Sequence, residues 1–136
     1  MNAPRVLIVD DNAMNIAIAQ VVLLAEQFAV QTAADGLEAM QKVASFRPDL
    51  ILMDVQMPGM DGIELTQALK TDPATKHIRI VAFTALAMRG DEARMRAAGC
   101  DGYLSKPINV KTFGGQVRSL LEAKLGDGLD EFRPAC

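Results

Sequence analysis

Five residues with charged or reactive side chains occupy equivalent places in this sequence, each just beyond a short apolar run. Asp10 and Asp11 follow Arg-Val-Leu-Ile-Val, and Asp54 follows Leu-Ile-Leu-Met. Thr84 and Lys106 lie just beyond two later runs. A carboxylate at the boundary of a buried strand is costly unless a partner compensates its charge, so Asp54 in particular requires a chemical explanation.

The chemistry that fits these side chains is phosphoryl transfer. Clustered carboxylates repel one another, so they predict a bound cation, and all-oxygen ligands with open coordination positions suit Mg²⁺. An incoming phosphoryl group would meet the ammonium of Lys106 and the hydroxyl of Thr84. Asp54 is then the candidate nucleophile, because an ionised carboxylate needs no general base.

The elements that must hold these side chains follow an alternation of short apolar runs and longer amphipathic stretches. This alternation predicts an α/β fold in which the carboxyl ends of parallel strands meet at one edge of the sheet. Three of the runs lack polar alternation, which predicts central strands covered on both faces by helices. The predicted strands are residues 5–9, 28–33, 49–53, 78–83 and 102–104.

Capping residues mark the predicted helix boundaries. Thr71-Asp72-Pro73 is expected to end the third helix, and Gly99 is expected to close the fourth as a left-handed cap. The start signals are Asn12, Asp35 with Glu38, Asp61 with Glu64, and Asn109.

Apolar spacing predicts which face of each terminal helix packs in the core. We interpret these stripes as core packing. The predicted core-facing residues are Met14, Ile18, Val21 and Ala25 in the first helix and Phe113, Val117 and Leu120, continued by Lys124, in the last.

Length and composition predict one domain. A chain of 136 residues, half of them apolar, can bury a core without metal or disulfide support. We predict a domain over residues 1–125 and a short flexible tail over 126–136, where no periodicity remains. The natural-looking start and irregular end favour a stand-alone protein.

Charge and cysteine content limit the classes of partner and the cellular compartment that we expect for this protein. The net charge is −3 with 14 scattered basic residues, which disfavours direct nucleic-acid binding. Two unpatterned cysteines disfavour a secreted disulfide framework and a zinc site. Because no leader and no membrane-length apolar run is evident, we expect a cytoplasmic protein without a membrane partner.

Taken with their spacing, these motifs closely resemble the receiver domain of bacterial two-component response regulators. The resemblance extends from residue 5 to about residue 121, in the order and spacing of that family. It is carried by Val-Leu-Ile-Val-Asp10-Asp11-Asn12, Asp35-Gly36, Leu-Ile-Leu-Met-Asp54-Val-Gln-Met-Pro58-Gly-Met-Asp-Gly62, Phe83-Thr84-Ala85 and Ala98-Gly99-Cys-Asp-Gly-Tyr103-Leu-Ser-Lys106-Pro107.

The resemblance implies a doubly wound, flavodoxin-like receiver fold with five parallel strands in the order 2-1-3-4-5 and helices on both faces. It implies that Asp54 is the phosphoacceptor and that Lys106 binds the phosphoryl oxygen. Asp11, Asp54 and the backbone carbonyl of Gln56 would hold Mg²⁺ directly, with Mn²⁺ able to substitute. Asp10 would act mainly through a water molecule.

The resemblance also implies a signalling switch rather than an enzyme that turns over a separate substrate. A histidine kinase or histidine phosphotransfer protein would donate the phosphoryl group. Thr84 and Tyr103 would form the switch pair, and the surface of the fourth helix, fifth strand and fifth helix would signal by contact with a downstream protein.

Two alternatives use similar architecture. A haloacid-dehalogenase-type phosphatase also has a strand-end aspartate nucleophile and magnesium, but it needs a second acid two residues later, where this chain has Gln56. A flavodoxin-like cofactor binder would need a phosphate-binding loop after the first strand, where Asp10-Asp11-Asn12 would repel an anion.

Overall fold

The computed structural model describes residues 3–54, 62–84, 89–105 and 108–122 of the chain. Within these ranges strands and helices alternate throughout, and each predicted strand is confirmed to within one residue at either end. In chain order the elements are β1 (Arg5–Val9), α1 (Ala13–Ala25), β2 (Ala29–Ala33), α2 (Gly36–Phe46), β3 (Leu50–Met53), α3 (Gly62–Thr71), β4 (Arg79–Thr84), α4 (Arg89–Ala98), β5 (Gly102–Ser105) and α5 (Phe113–Glu122).

The strands form one parallel sheet in the order β2-β1-β3-β4-β5, which confirms the predicted fold class. β1, β3 and β4 are the inner strands, as their continuous apolar runs predicted. Alternate side chains along these strands pack in two cores, one on each face of the sheet. Residues of α2, α3 and α4 line one core, and residues of α1 and α5 line the other.

Capping explains where α1 and α2 begin. The Asn12 side chain accepts a hydrogen bond from the backbone N–H of Asn15 (3.1 Å). The Asp35 side chain accepts from the N–H of Glu38 (2.8 Å), while Glu38 Oε1 accepts from the N–H of Ala34 (2.9 Å). These contacts satisfy backbone donors that lack helical partners, so both predicted helix starts are confirmed.

The predicted helix ends are also confirmed. α3 ends at Thr71, before the Asp72-Pro73 pair, and Gly99 closes α4 with φ +107°. In α5, Phe113 and Val117 are buried as predicted. The predicted cap at Asp61 and the continuation to Lys124 lie outside the described residues, as does the predicted tail over 126–136.

The predicted core face of α1 is wrong. Met14 and Val21 are 69% and 67% exposed, and Ile18 and Ala25 are also exposed, whereas Ala19 and Leu23 are fully buried. The reason is the composition of α1, where Asn15 and Gln20 are the polar residues in an otherwise apolar helix. Apolar spacing could not identify the buried face of a helix that is apolar on nearly every side.

None of the described helices combines the length and apolar character needed to cross a membrane.

Candidate functional site

The register of β1 and β3 brings two of the predicted carboxylates side by side. Val9 pairs with Met53, so Asp10 and Asp54 leave the sheet at the same level. Backbone hydrogen bonds hold both positions: the Asp54 N–H donates to Val9 O (2.9 Å), and the Asp10 N–H donates to Ala33 O (3.0 Å). Because these bonds extend the strand ladders, the two carboxylates stand on rigid backbone.

Asp10, Asp11 and Asp54 form an acidic cluster. One carboxylate oxygen from each can be chosen so that all of them lie within 4.8 Å of one another. Asp10 is fully buried and Asp54 is 7% exposed, whereas Asp11 is exposed to solvent. Asp10 Oδ1 also accepts a hydrogen bond from the N–H of Asn12 (2.9 Å), which orients that carboxylate at the start of α1.

The donor set of the acidic cluster fits a hard divalent cation. All the groups supply oxygen, and two of the carboxylates are held at the rim of the core where their mutual repulsion is weakly screened. A cation would offset that repulsion, and the exposed side of Asp11 leaves the cluster open to a ligand from solvent.

Gly62 contributes to the site in a way that the sequence pattern did not predict. A Cβ at this position would collide with the backbone carbonyl oxygen of Asp54, so the first turn of α3 packs directly on the backbone of the candidate nucleophile. Only glycine allows this approach. The sequence does show a glycine at the start of the amphipathic stretch after Asp54. It does not show which atom of the protein that glycine contacts.

The remaining predicted site residues lie on the β4–β5 side of the sheet. Thr84 ends β4 and pairs with Ser105 at the end of β5, so its backbone lies at the same edge as the acidic cluster. Tyr103 pairs with Ala82 and is partly buried against the core that α2, α3 and α4 line. The side chain of Thr84 and the whole of Gln56 and Lys106 lie outside the described part of the structure.

Comparison with protein families identifies a match over most of the chain. The sequence profile described as the response regulator receiver domain matches residues 6–118. The polar-differentiation response regulator DivK of Brucella anthropi is 43% identical over 116 residues, covering 85% of this chain and 94% of that protein. DivK of Brucella ovis is 42% identical over the same length, with the same coverage.

Solved structures show the same similarity. A putative response regulator from Chloroflexus aurantiacus matches with a TM-score of 0.84 and 30% identity, over 90% of this chain and 100% of that one. The chemotaxis response regulator CheY4 of Vibrio cholerae matches with a TM-score of 0.81 and 31% identity, over 88% of this chain and 99% of that one. None of these similarities supports the phosphatase alternative.

Proposed function

This chain belongs to the family of response regulator receiver domains, the phosphorylation-dependent signalling switches of two-component systems, and we propose that Asp54 is its phosphoacceptor. The observation that carries the proposal is the acidic cluster, in which Asp54 lies beside Asp10 and Asp11 at the carboxyl edge of the sheet. The backbone of Asp54 is fixed by the hydrogen bond from its N–H to Val9 O, and the neighbouring Asp11 is exposed to solvent.

In the proposed reaction a carboxylate oxygen of Asp54 attacks the phosphorus of a phosphohistidine, and the P–N bond to the imidazole breaks. The donor is a histidine kinase or a histidine phosphotransfer protein. Asp11, Asp54 and the carbonyl of Gln56 would hold Mg²⁺, or Mn²⁺ in its place, with Asp10 acting through water. When bound, the cation supplies positive charge against the carboxylates and the phosphoryl oxygens. Lys106 adds a further positive charge at the phosphoryl group.

The proposed switch uses Thr84 and Tyr103. The Thr84 hydroxyl moves toward the phosphoryl group, and the ring of Tyr103 turns into the space that it leaves. Thr84 pairs with Ser105 on the neighbouring strand, two residues after Tyr103, and this proximity supports the exchange. The altered surface comprises α4, β5 and α5, and it signals by contact with a downstream protein.

We propose that the catalysis of this domain is confined to its own phosphorylation and dephosphorylation, in a cytoplasmic setting. Phosphatase turnover requires a second acid near the nucleophile to protonate the leaving group. Position 56, two residues after Asp54, is a glutamine. A signalling role therefore suits these residues better than hydrolysis of a separate substrate.

Labelling by acetyl phosphate tests the phosphoacceptor assignment. With Mg²⁺ present, the wild-type chain should acquire a phosphoryl group, and Asp54→Asn should lose essentially all labelling, as measured by intact mass and phosphate-affinity gels. Asp49→Asn, just before the first residue of the same strand, makes the same chemical change and should label normally. Labelling that persists in Asp54→Asn would place the acceptor elsewhere.

A further inference from the structure

Lys70, near the end of α3, is held by three acceptors at the far end of the sheet from the acidic cluster. Its Nζ donates to the carbonyl oxygens of Lys76 (2.9 Å) and Ile78 (3.0 Å) and to Asp101 Oδ2 (2.8 Å). The side chains of Lys70 and Asp101 are only 14% and 13% exposed. Three acceptors match the three hydrogens of an ammonium, so the cation is satisfied in one geometry.

Asp101 in turn fixes the start of β5. Its Oδ2 accepts the backbone N–H of Ile80 (2.9 Å), and its own N–H donates to Ile80 O (2.7 Å). The regular pairing of β4 with β5 starts one residue later, at Val81 and Gly102. The carboxylate therefore extends the ladder to the point where β5 begins. We call Lys70, Asp101 and the backbone groups that they bind the Lys70 clamp.

The helix that carries Lys70 also touches the site. α3 begins at Gly62, against the carbonyl of Asp54, and ends just after Lys70. The aliphatic part of the Lys70 side chain packs against Gly99. A Cβ added to Gly99 would lie 3.2 Å from Cβ and from Cγ of Lys70. One helix of 10 residues thus joins the backbone of the candidate phosphoacceptor to the beginning of β5.

β5 needs such an anchor because of its place in the sheet. It has four residues and is an edge strand, paired along one side with β4. Tyr103, the proposed switch residue, lies two positions after Asp101. A short edge strand that is free at its start could shift or fray, and the position of the Tyr103 ring would then respond poorly to events at the opposite end.

We propose that Lys70 and Asp101 are positioning residues of the switch. They hold the start of β5 in place, so that phosphorylation at the carboxyl edge of the sheet moves the ring of Tyr103. This inference rests on the proposed function, since it requires that Asp54 be phosphorylated and that Tyr103 respond. It assigns the Lys70 clamp a role beyond stability, because even a largely buried ion pair is weak evidence for stabilisation by itself.

The composition of the chain provides a direct readout. Tyr103 is its single tyrosine, and the chain has no tryptophan, so tyrosine fluorescence reports on this ring alone. The test compares fluorescence before and after acetyl phosphate treatment in the wild type and in Lys70→Met, with the labelled fraction measured separately by intact mass. Lys76→Met is the matched control, because Lys76 contributes its carbonyl rather than its side chain to the clamp.

Lys70→Met should be labelled to the wild-type extent. Its fluorescence response to labelling should fall at least threefold. Lys76→Met should behave as the wild type does. A wild type that takes no label would overturn the phosphoacceptor assignment, whereas a labelled Lys70→Met with the full wild-type response would overturn the role of the clamp alone.

A second variant separates positioning from simple loss of stability. Lys70→Met leaves Asp101 as a largely buried carboxylate without its cation, which destabilises the fold. In Lys70→Met/Asp101→Asn that charge is also removed, so resistance to urea should recover toward the wild type while the Tyr103 response stays low. Recovery of both stability and response in this double variant would show a merely structural role and overturn the proposal.

Discussion

Asp11 is the exposed member of the acidic cluster, and without a cation its charge acts against two buried carboxylates. Asp11→Asn should therefore stabilise the metal-free protein slightly, by about 0.5 to 1 kcal/mol, since solvent screens an exposed charge. The same variant should lose the stabilisation that Mg²⁺ gives the wild type, which is about 2.7 kcal/mol when the free ion is at 100 times its dissociation constant. Urea denaturation with and without Mg²⁺ measures both effects.

A control for this prediction removes the same charge away from the cluster. Asp72 is exposed, and its side chain accepts the N–H of Ala74 (2.9 Å), a bond that an asparagine oxygen can keep. Asp72→Asn should show the full Mg²⁺ effect. If Asp11→Asn also kept the wild-type dependence on Mg²⁺, the metal would not be bound through Asp11.

Single residues differ in how far the sequence could predict their roles. Asp10, Asp11 and Asp54 could be brought together from sequence because each follows a strand, and parallel strands share a carboxyl edge. The contact between Lys70 and Asp101 could not be predicted in this way. It joins residues 31 positions apart in the chain, from the end of a helix to the start of a strand, and no local pattern encodes where those two ends meet.

Among the elements, α1 gives the clearest test of the structure against the sequence pattern. Val21 is 67% exposed and Leu23 is fully buried, although apolar spacing predicted Val21 for the core. Val21→Lys should change the free energy of unfolding by no more than about 0.5 kcal/mol. Leu23→Ala should cost about 2–5 kcal/mol through the cavity that it leaves. Chemical denaturation of the two variants would decide which face packs on the sheet.

A loss of several kcal/mol in Val21→Lys, with little change in Leu23→Ala, would reinstate the sequence-based assignment of the core face of α1.

α5 is the useful contrast to α1. Its exposed positions are glycine, glutamine, serine and glutamate, while Phe113 and Val117 are buried, so the same spacing rule identified its core face. Apolar periodicity locates the buried face only where polar residues occupy the other side of the helix.

For the molecule as a whole, the alternation of strands and helices was sufficient to predict an α/β fold with a parallel sheet. The strand order required the family resemblance, because apolar runs show which strands are inner ones but not which strands are neighbours. In the observed order, β2 with α1 and α2 lies on one side of the acidic cluster, and β4 with β5 lies on the other. Both the proposed switch pair and the Lys70 clamp belong to the β4–β5 side.

This division predicts a polarised response to phosphorylation. Amide hydrogen exchange should change several-fold in α4, β5 and the start of α5 when the chain is labelled with acetyl phosphate, because the proposed switch pair lies on β4 and β5 and these elements form the proposed output surface. Amides of β2 and α2 should exchange at nearly unchanged rates. Hydrogen exchange followed by mass spectrometry on the labelled wild type measures both groups of amides in one experiment. Asp54→Asn, treated identically, is the control. Changes spread evenly over the sheet, or confined to β2 and α2, would contradict an output surface built from α4, β5 and α5.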